Sequence, residues 1–295
     1  MTEEPEAVYA GLAGRSLVTA FDLGEGVTLS PTFTHIMAPL MAAFAQSEKG
    51  KPHPAPWKAV SGGFGFDIVC ELRVPTLTAR KHSEDPNDTL WCITALIRLR
   101  SGPGITLPAI TTLPFSDVKT SGDDVHIWPR EIESRLLSLQ GNSPESITEL
   151  DLAWVKAHWA SACALAKRHD ELNLALQAFD QCQFQRHSSV ALLTLWAALE
   201  ALFSGGREEL RFRISAGVAA FLEPPGLGRL SLQKQIAKLY DSRSAAAHGR
   251  IEKAHEPLMS TYALARRALT KMIEDNHVPT KAELEAKLFG ADVTL

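Results

Sequence analysis

The sequence changes character near residue 145, and this limits the chain to an α+β architecture with its two kinds of structure segregated along the sequence. Before that point Gly, Pro and Thr are frequent, and the apolar runs are β-branched or aromatic. After it Pro and Gly become scarce, and apolar residues return every three or four positions, the period of a helix face. Phe64 to Val74 and Leu90 to Arg100 read as strands, with Val27 to Thr34 and Gly104 to Thr112 as shorter ones. The polar stretch between the first two, ARKHSEDPNDT, reads as a loop, because its Pro, Asn and Asp favour turns. Ile36 to Phe44 reads as a helix starting near Pro39.

The second half predicts a run of helices with short connections. Ile147 to Lys167 has Ser146 as its N-cap, three residues before Glu149. Asp170 to Gln183 places Leu172, Leu176 and Phe179 on one stripe. Ser188 or Ser189 caps a very apolar helix that runs to Phe203 and stops at Ser204-Gly205-Gly206. Glu208 to Leu222 ends at Pro224-Pro225, Leu230 to Ala247 is closed by Gly249, and Glu256 to Asn276 is ended by Pro279. Lys281 to Phe289 forms a last short helix. Short connections imply an antiparallel bundle. The division is a β-rich domain of unknown role (1–145), a helical bundle (146–278) and a tail with a short helix (279–295).

A chain of 295 residues with 45% hydrophobic and 22% charged residues is globular, with room for two domains. The start, MTEEPEAVYAGLAG, is acidic and lacks the pattern of a secretory signal. The longest apolar run, Val190 to Phe203, is too short to span a bilayer and carries Glu200. The expectation is a cytoplasmic protein with no membrane partner. Cys70, Cys92, Cys163 and Cys182 form no CxxC pair and no metal-ligand spacing, so they are expected to be reduced and mostly buried. A net charge of -4 argues against a protein that coats nucleic acid. Between Gly205 and His255, nine basic residues face five acidic ones, so this stretch is +4 and the remainder -8. Such a face fits a confined phosphate site, and equally the solvated surface of ordinary helices.

Familiar catalytic signatures are missing: the sequence contains no GxSxG, no GxxxxGK[ST], no HExxH and no GxGxxG opening a helix. His82-Ser83-Glu84 begins like a zinc-deaminase signature, but no PCxxC follows, and no metal is expected. Gly62-Gly63-Phe64-Gly65 precedes a strand and reads as a turn rather than a phosphate cradle. The remaining pattern is Arg243 to His248, R-x4-H, and a second copy of that spacing runs from Arg250 to His255. Spacing does not choose between them.

Context does. The segments LLTLWAALEALFS (Leu192 to Ser204), REELRFRISAGVAAFL (Arg207 to Leu222) and IAKLYDSRSAAAHGR (Ile236 to Arg250) stand in sequence. In this order they resemble the HEPN superfamily, in particular the Apea-like HEPN proteins of bacteria. The second R-x4-H lacks this surrounding signature, and the first half carries no comparable resemblance. The resemblance implies a HEPN-like helical bundle and a metal-independent endoribonuclease of the toxin or antiviral-defence type. It also implies a homodimer built on the helices around Arg243, so that two R-x4-H pairs line one cleft. No cofactor is implied. RNA is the substrate or ligand, an antitoxin or regulatory protein is a further candidate partner, and the first half regulates activity or senses a trigger.

The residue types suit that chemistry. Cutting RNA without metal requires the 2′-OH deprotonated, the leaving 5′-oxygen protonated and the phosphorus charge stabilised. Arg243 offers a permanently charged fork for phosphate, and His248, at a predicted helix end, offers an imidazole whose protonated form the helix dipole favours. Ser244 adds a hydrogen-bond donor, and Arg211 and Arg213 are candidate phosphate contacts. Glu200 needs a partner inside so apolar a helix unless it faces solvent, and Tyr240 with Trp196 either stacks a base or packs in the core. The competing reading makes Arg243 a structural partner of Glu200 or Glu209 and His248 a cap of its own helix, in a protein that binds without cutting. A hydrolase in the first half has no motif. A polar pocket there containing His35, His82 or His126 is what that reading needs.

Overall fold

The computed structural model describes residues 5–122, 125–132, 146–204, 209–249 and 254–291. The chain forms two compact units, Met1–Leu77 with Ile105–Ile132, and Thr78–Gly104 with Glu133–Leu295. The boundary expected near residue 145 falls outside the described residues.

The first unit is an antiparallel sheet in the order β2-β3-β4-β1-β5-β6, built from β1 (Ala7–Ala13), β2 (Phe21–Gly24), β3 (Val27–Ala43), β4 (Trp57–Pro75), β5 (Thr106–Thr111) and β6 (Ile127–Pro129). The expected strands at 27–34, 64–74 and 104–112 lie in or on these elements. In the inner part of β4 burial alternates residue by residue, with Ile68, Cys70, Leu72 and Val74 fully buried. Ile68, Ala109 and Phe115 form a tight cluster, and Ile36 packs against it. Gly11 lies under Phe115, where any Cβ would sit 2.7 Å from the ring. Glu71 accepts a hydrogen bond from the Phe115 backbone N–H at 2.6 Å. Burial pushes its carboxyl above the ordinary value despite that bond.

Residues 36–44 are not a helix. They continue β3 against β4 in a register from Ile36↔Phe66 to Ala43↔Trp57. A run rich in Ala, Met and Leu favours helix by intrinsic propensity, and tertiary pairing overrides that preference here. The partner strand, which saturates its backbone, decides the outcome. The sequence Gly62-Gly63-Phe64-Gly65 lies within β4 rather than ahead of it.

The second unit contains most of α1 (Thr76–His82), then α2 (Pro86–Ser101), α3 (Glu149–Arg168), α4 (Asp170–Gln181), a 3-10 turn (Cys182–Phe184), α5 (Ser188–Phe203), α6 (Leu210–Leu222), α7 (Leu227–Ala247), α8 (His255–Glu274) and α9 (Lys281–Leu288). The helices expected from residue 146 onward are present within a few residues. The N-cap of α3 is Thr148, bonded to the Asp151 N–H, rather than Ser146. Apolar α5 packs against α4, α6, α7 and α8. Gly249 ends the turn after α7 with φ +65°, which only glycine adopts without strain.

Residues 90–100 correct the expected strand. They form α2, started by Asp85, which accepts from the Asn87 N–H at 2.9 Å, and by Pro86 in the first turn. Leu90, Ile93, Leu96, Ile97 and Leu99 are all fully buried, so the helix is apolar all round and lacks the one-sided period that reveals a surface helix. Arg98 is buried with it and donates to both oxygens of Asp180 on α4, at 2.8 and 2.9 Å. Trp91 Nε1 also donates to Asp180, at 3.0 Å.

Two cysteines depart from the reduced state expected of all four. Cys92 on α2 and Cys163 on α3 form a disulfide, their Cα atoms 6.4 Å apart. Cys70 and Cys182 are free and buried, and burial pushes the Cys70 thiol up to about 12. Among the described residues no helix is long and apolar enough to cross a membrane.

Candidate functional site at the end of helix α7

Helix α7 lies against α5, and two pairs of side chains join them. Trp196 and Glu200 are one turn apart on α5, and Tyr240 and Arg243 are one turn apart on α7. Trp196 meets Tyr240 edge to face, with ring centroids 5.2 Å apart. One turn along, Arg243 Nη2 lies 3.0 Å from Glu200 Oε1 and donates to Oε2 at 3.3 Å. The Arg243 guanidinium also lies over the Tyr240 ring, 5.6 Å from its centroid. Burial, helped by the Glu200 charge and opposed by Arg243, pushes the Tyr240 hydroxyl above its ordinary value.

The carboxylate in apolar α5 therefore has its partner. Of the two acids weighed for Arg243, Glu200 is the one that meets it. The pair is not sealed. The Arg243 side chain keeps 30% of its exposure and Glu200 keeps 22%. Among the described residues, the buried Arg243 Nε and Trp196 Nε1 have no hydrogen-bond acceptor. Tyr240 and Trp196 pack against each other between the helices, as core residues do.

His248 is the C-cap of α7 and is exposed. Its backbone N–H bonds the Ala245 carbonyl at 3.3 Å, so the helix end is closed by main chain. Its imidazole makes no hydrogen bond or ion pair among the described residues. Arg243 and His248 are five positions apart, a rotation of about 140° around the helix, so within one chain they do not share a face. Ser244, half-buried on the same turn as Arg243, stands between them in sequence.

The two candidate phosphate contacts on α6 separate. Arg211 points to α7 and clamps Asp241 in a two-pronged pair, at 2.7 Å through both nitrogens, on a largely exposed surface. That bond holds the Asp241 carboxyl below its ordinary range. Arg213 lies about 200° away around the helix. It lines a groove of about 200 Å³ with Leu284 and Phe289, by α9. Arg213 therefore does not join Arg243. Of the basic residues counted between 205 and 255, Arg207, Arg250 and Lys253 lie outside the described residues, as does the start of the second R-x4-H.

Of the three histidines a hydrolase reading would need, His35 bonds Asp67 at 2.8 Å on the exposed part of the sheet, and His126 lies beside Trp128. His82 does line a cavity, of about 410 Å³, with Glu84, Asp88, Lys167 and Gln177. The cavity belongs to the helical unit, not to the sheet. Its wall includes the Cys92–Cys163 disulfide, which sequence alone does not suggest because 71 positions separate the two. His82 packs edge-on against Trp159, and Ser83 donates to Asp88 at 2.9 Å. Among the described residues no three His, Cys, Asp or Glu side chains converge as metal ligands do.

No family model, curated protein or solved structure matches this chain.

Proposed function

We propose that the chain is a metal-independent endoribonuclease of the HEPN type, acting as a toxin or antiviral-defence effector. In this reading Arg243 and His248 from two subunits line one cleft formed by the helices around α7. The observation that carries it is a half-exposed guanidinium, held in place by Glu200 and Tyr240, on the helix that ends in an exposed imidazole at His248. Arg243 holds the scissile phosphate and offsets the charge that develops on it. One His248 takes the 2′-hydroxyl proton, the 2′-oxygen attacks phosphorus, and the other His248 protonates the departing 5′-oxygen. The carbonyl end of α7 favours the imidazolium needed for that last step. DNA lacks the 2′-hydroxyl and is not a substrate. Ser244 adds a hydrogen bond to the phosphate. The sheet unit senses the trigger or binds a regulatory protein such as an antitoxin.

The same pairs favour a second reading. Arg243 is matched to Glu200 and Arg211 to Asp241, so a non-catalytic HEPN-fold protein that binds RNA or a partner is the alternative. Incubating the purified chain with RNA in EDTA separates the two. A ribonuclease cuts RNA but not DNA, slows growth of an expressing host, and loses both properties in His248→Ala with its thermal transition unchanged. An absence of RNA cleavage by the wild type, alone or with a trigger, favours the binding protein.

A further inference from the structure

Beyond Ile36 and Phe66 the hairpin of β3 and β4 leaves the sheet and runs on as a free two-stranded arm, Met37 to Gly65. The paired part covers β3 from Met37 to Ala43, roughly 24 Å at about 3.4 Å per residue. Six large apolar side chains on it are open to solvent: Met37, Leu40, Met41, Phe44, Trp57 and Val60. Met37 and Phe44 are each 71% exposed. An isolated two-stranded ribbon is only marginally stable in water, and an apolar patch of this kind marks a contact surface.

We infer that this arm is the interface for a second copy of the same chain, packed arm against arm. Three observations select that occupant. Met37 and Met41 alternate with Leu40 and Phe44 along the chain, and Trp57 lies opposite Ala43 and Val60 opposite Leu40, so each face of the ribbon carries three of the six, and edge-to-edge pairing of two arms continues both apolar faces from one copy to the other. Among the described residues no third strand pairs with β3 beyond Leu29 or with β4 ahead of Cys70, so the arm has open backbone edges. Another strand satisfies those N–H and C=O groups, whereas a lipid bilayer leaves them unpaired in an apolar medium. Finally, no Asp, Glu, Lys or Arg occurs from Ser30 to Ser47, so two copies of this strand meet without like charges opposed. The inference is independent of the ribonuclease reading, whose subunit contact lies on α7.

Sedimentation velocity on the full chain tests it, with Leu40→Glu/Phe44→Glu as the variant. Both positions are solvent-exposed, so the fold, followed by circular dichroism, is retained. The expected result is loss of one association step, halving the mass whether or not the helical contact also forms. Ala45→Cys reads the same contact directly. Cys70 and Cys182 are buried and Cys92 is paired with Cys163, so the new thiol is the reactive one. It should cross-link arm to arm under mild oxidation, and the link should vanish when the two glutamates are added. An unchanged mass in the double variant, or an Ala45→Cys chain that never cross-links, overturns the inference. So does a monomeric wild type that co-sediments with phosphatidylglycerol vesicles through the arm.

Discussion

Arg243 on α7 and Glu200 on α5 approach to 3.0 Å, forming a half-exposed ion pair. It joins the two helices that carry the strongest sequence signature in the chain. Because it is reached by water, its coupling is expected to be about 1 kcal/mol, well short of a buried pair. A double-mutant cycle with Glu200→Gln and Arg243→Met, read by urea unfolding, checks this. A coupling near zero would mean that the guanidinium is not held by Glu200, and the site would lose its rigidity.

The second ion pair behaves differently. Arg98 and Asp180 are 2% and 1% exposed, and Trp91 adds a donor to the same carboxylate. Asp180→Ala leaves a buried guanidinium without its carboxylate and should cost about 3–5 kcal/mol. Arg98→Met with Asp180→Leu removes both charges and should recover most of that loss. Thermal melts of the two variants give the comparison.

Glu71 makes the sheet sensitive to weakly acidic pH. Its folded-state value is raised above the ordinary 4.5, chiefly by burial. The stability linked to it is therefore present below pH 4.5 and is lost as pH rises through the folded value. Glu71→Gln keeps an oxygen to accept the Phe115 N–H and removes the charge. The wild type should lose stability relative to this variant as pH climbs through that window. Parallel pH profiles for the two proteins would refute the assignment.

The Cys92–Cys163 disulfide ties α2 to α3 across 71 positions of sequence. Cys92→Ser/Cys163→Ser should lower stability by about 2–4 kcal/mol through a freer unfolded chain. α2 should remain folded, because Arg98 and Asp180 hold it to α4 independently. Reduction with dithiothreitol should reproduce the shift in the wild type and leave the double variant unmoved.

What the sequence by itself determined is local. Helical periodicity and Pro and Gly punctuation place α3 to α9 within a few residues, because each of those signals acts within one or two turns, whereas the N-caps are Thr148 rather than Ser146 and His187 rather than Ser188 or Ser189. The alternation at 64–74 is local in the same sense. Arg243, Ser244 and His248 are singled out only by a contiguous stretch that resembles a known family, whereas the partner that a carboxylate in so apolar a helix requires is found, as Glu200 pairs with Arg243.

Tertiary structure decided everything that depends on a distant partner. Residues 90–100 are a helix because burial on every side erases the periodic pattern, and the Arg98 to Asp180 bond that makes this burial possible spans 82 positions. Residues 36–43 are a strand because β4 supplies their hydrogen bonds. Arg211 and Arg213 look equivalent in sequence, yet the helix turns one toward Asp241 and the other toward α9. Pairing and burial are properties of the assembled chain, and no window of sequence contains both halves of such a contact.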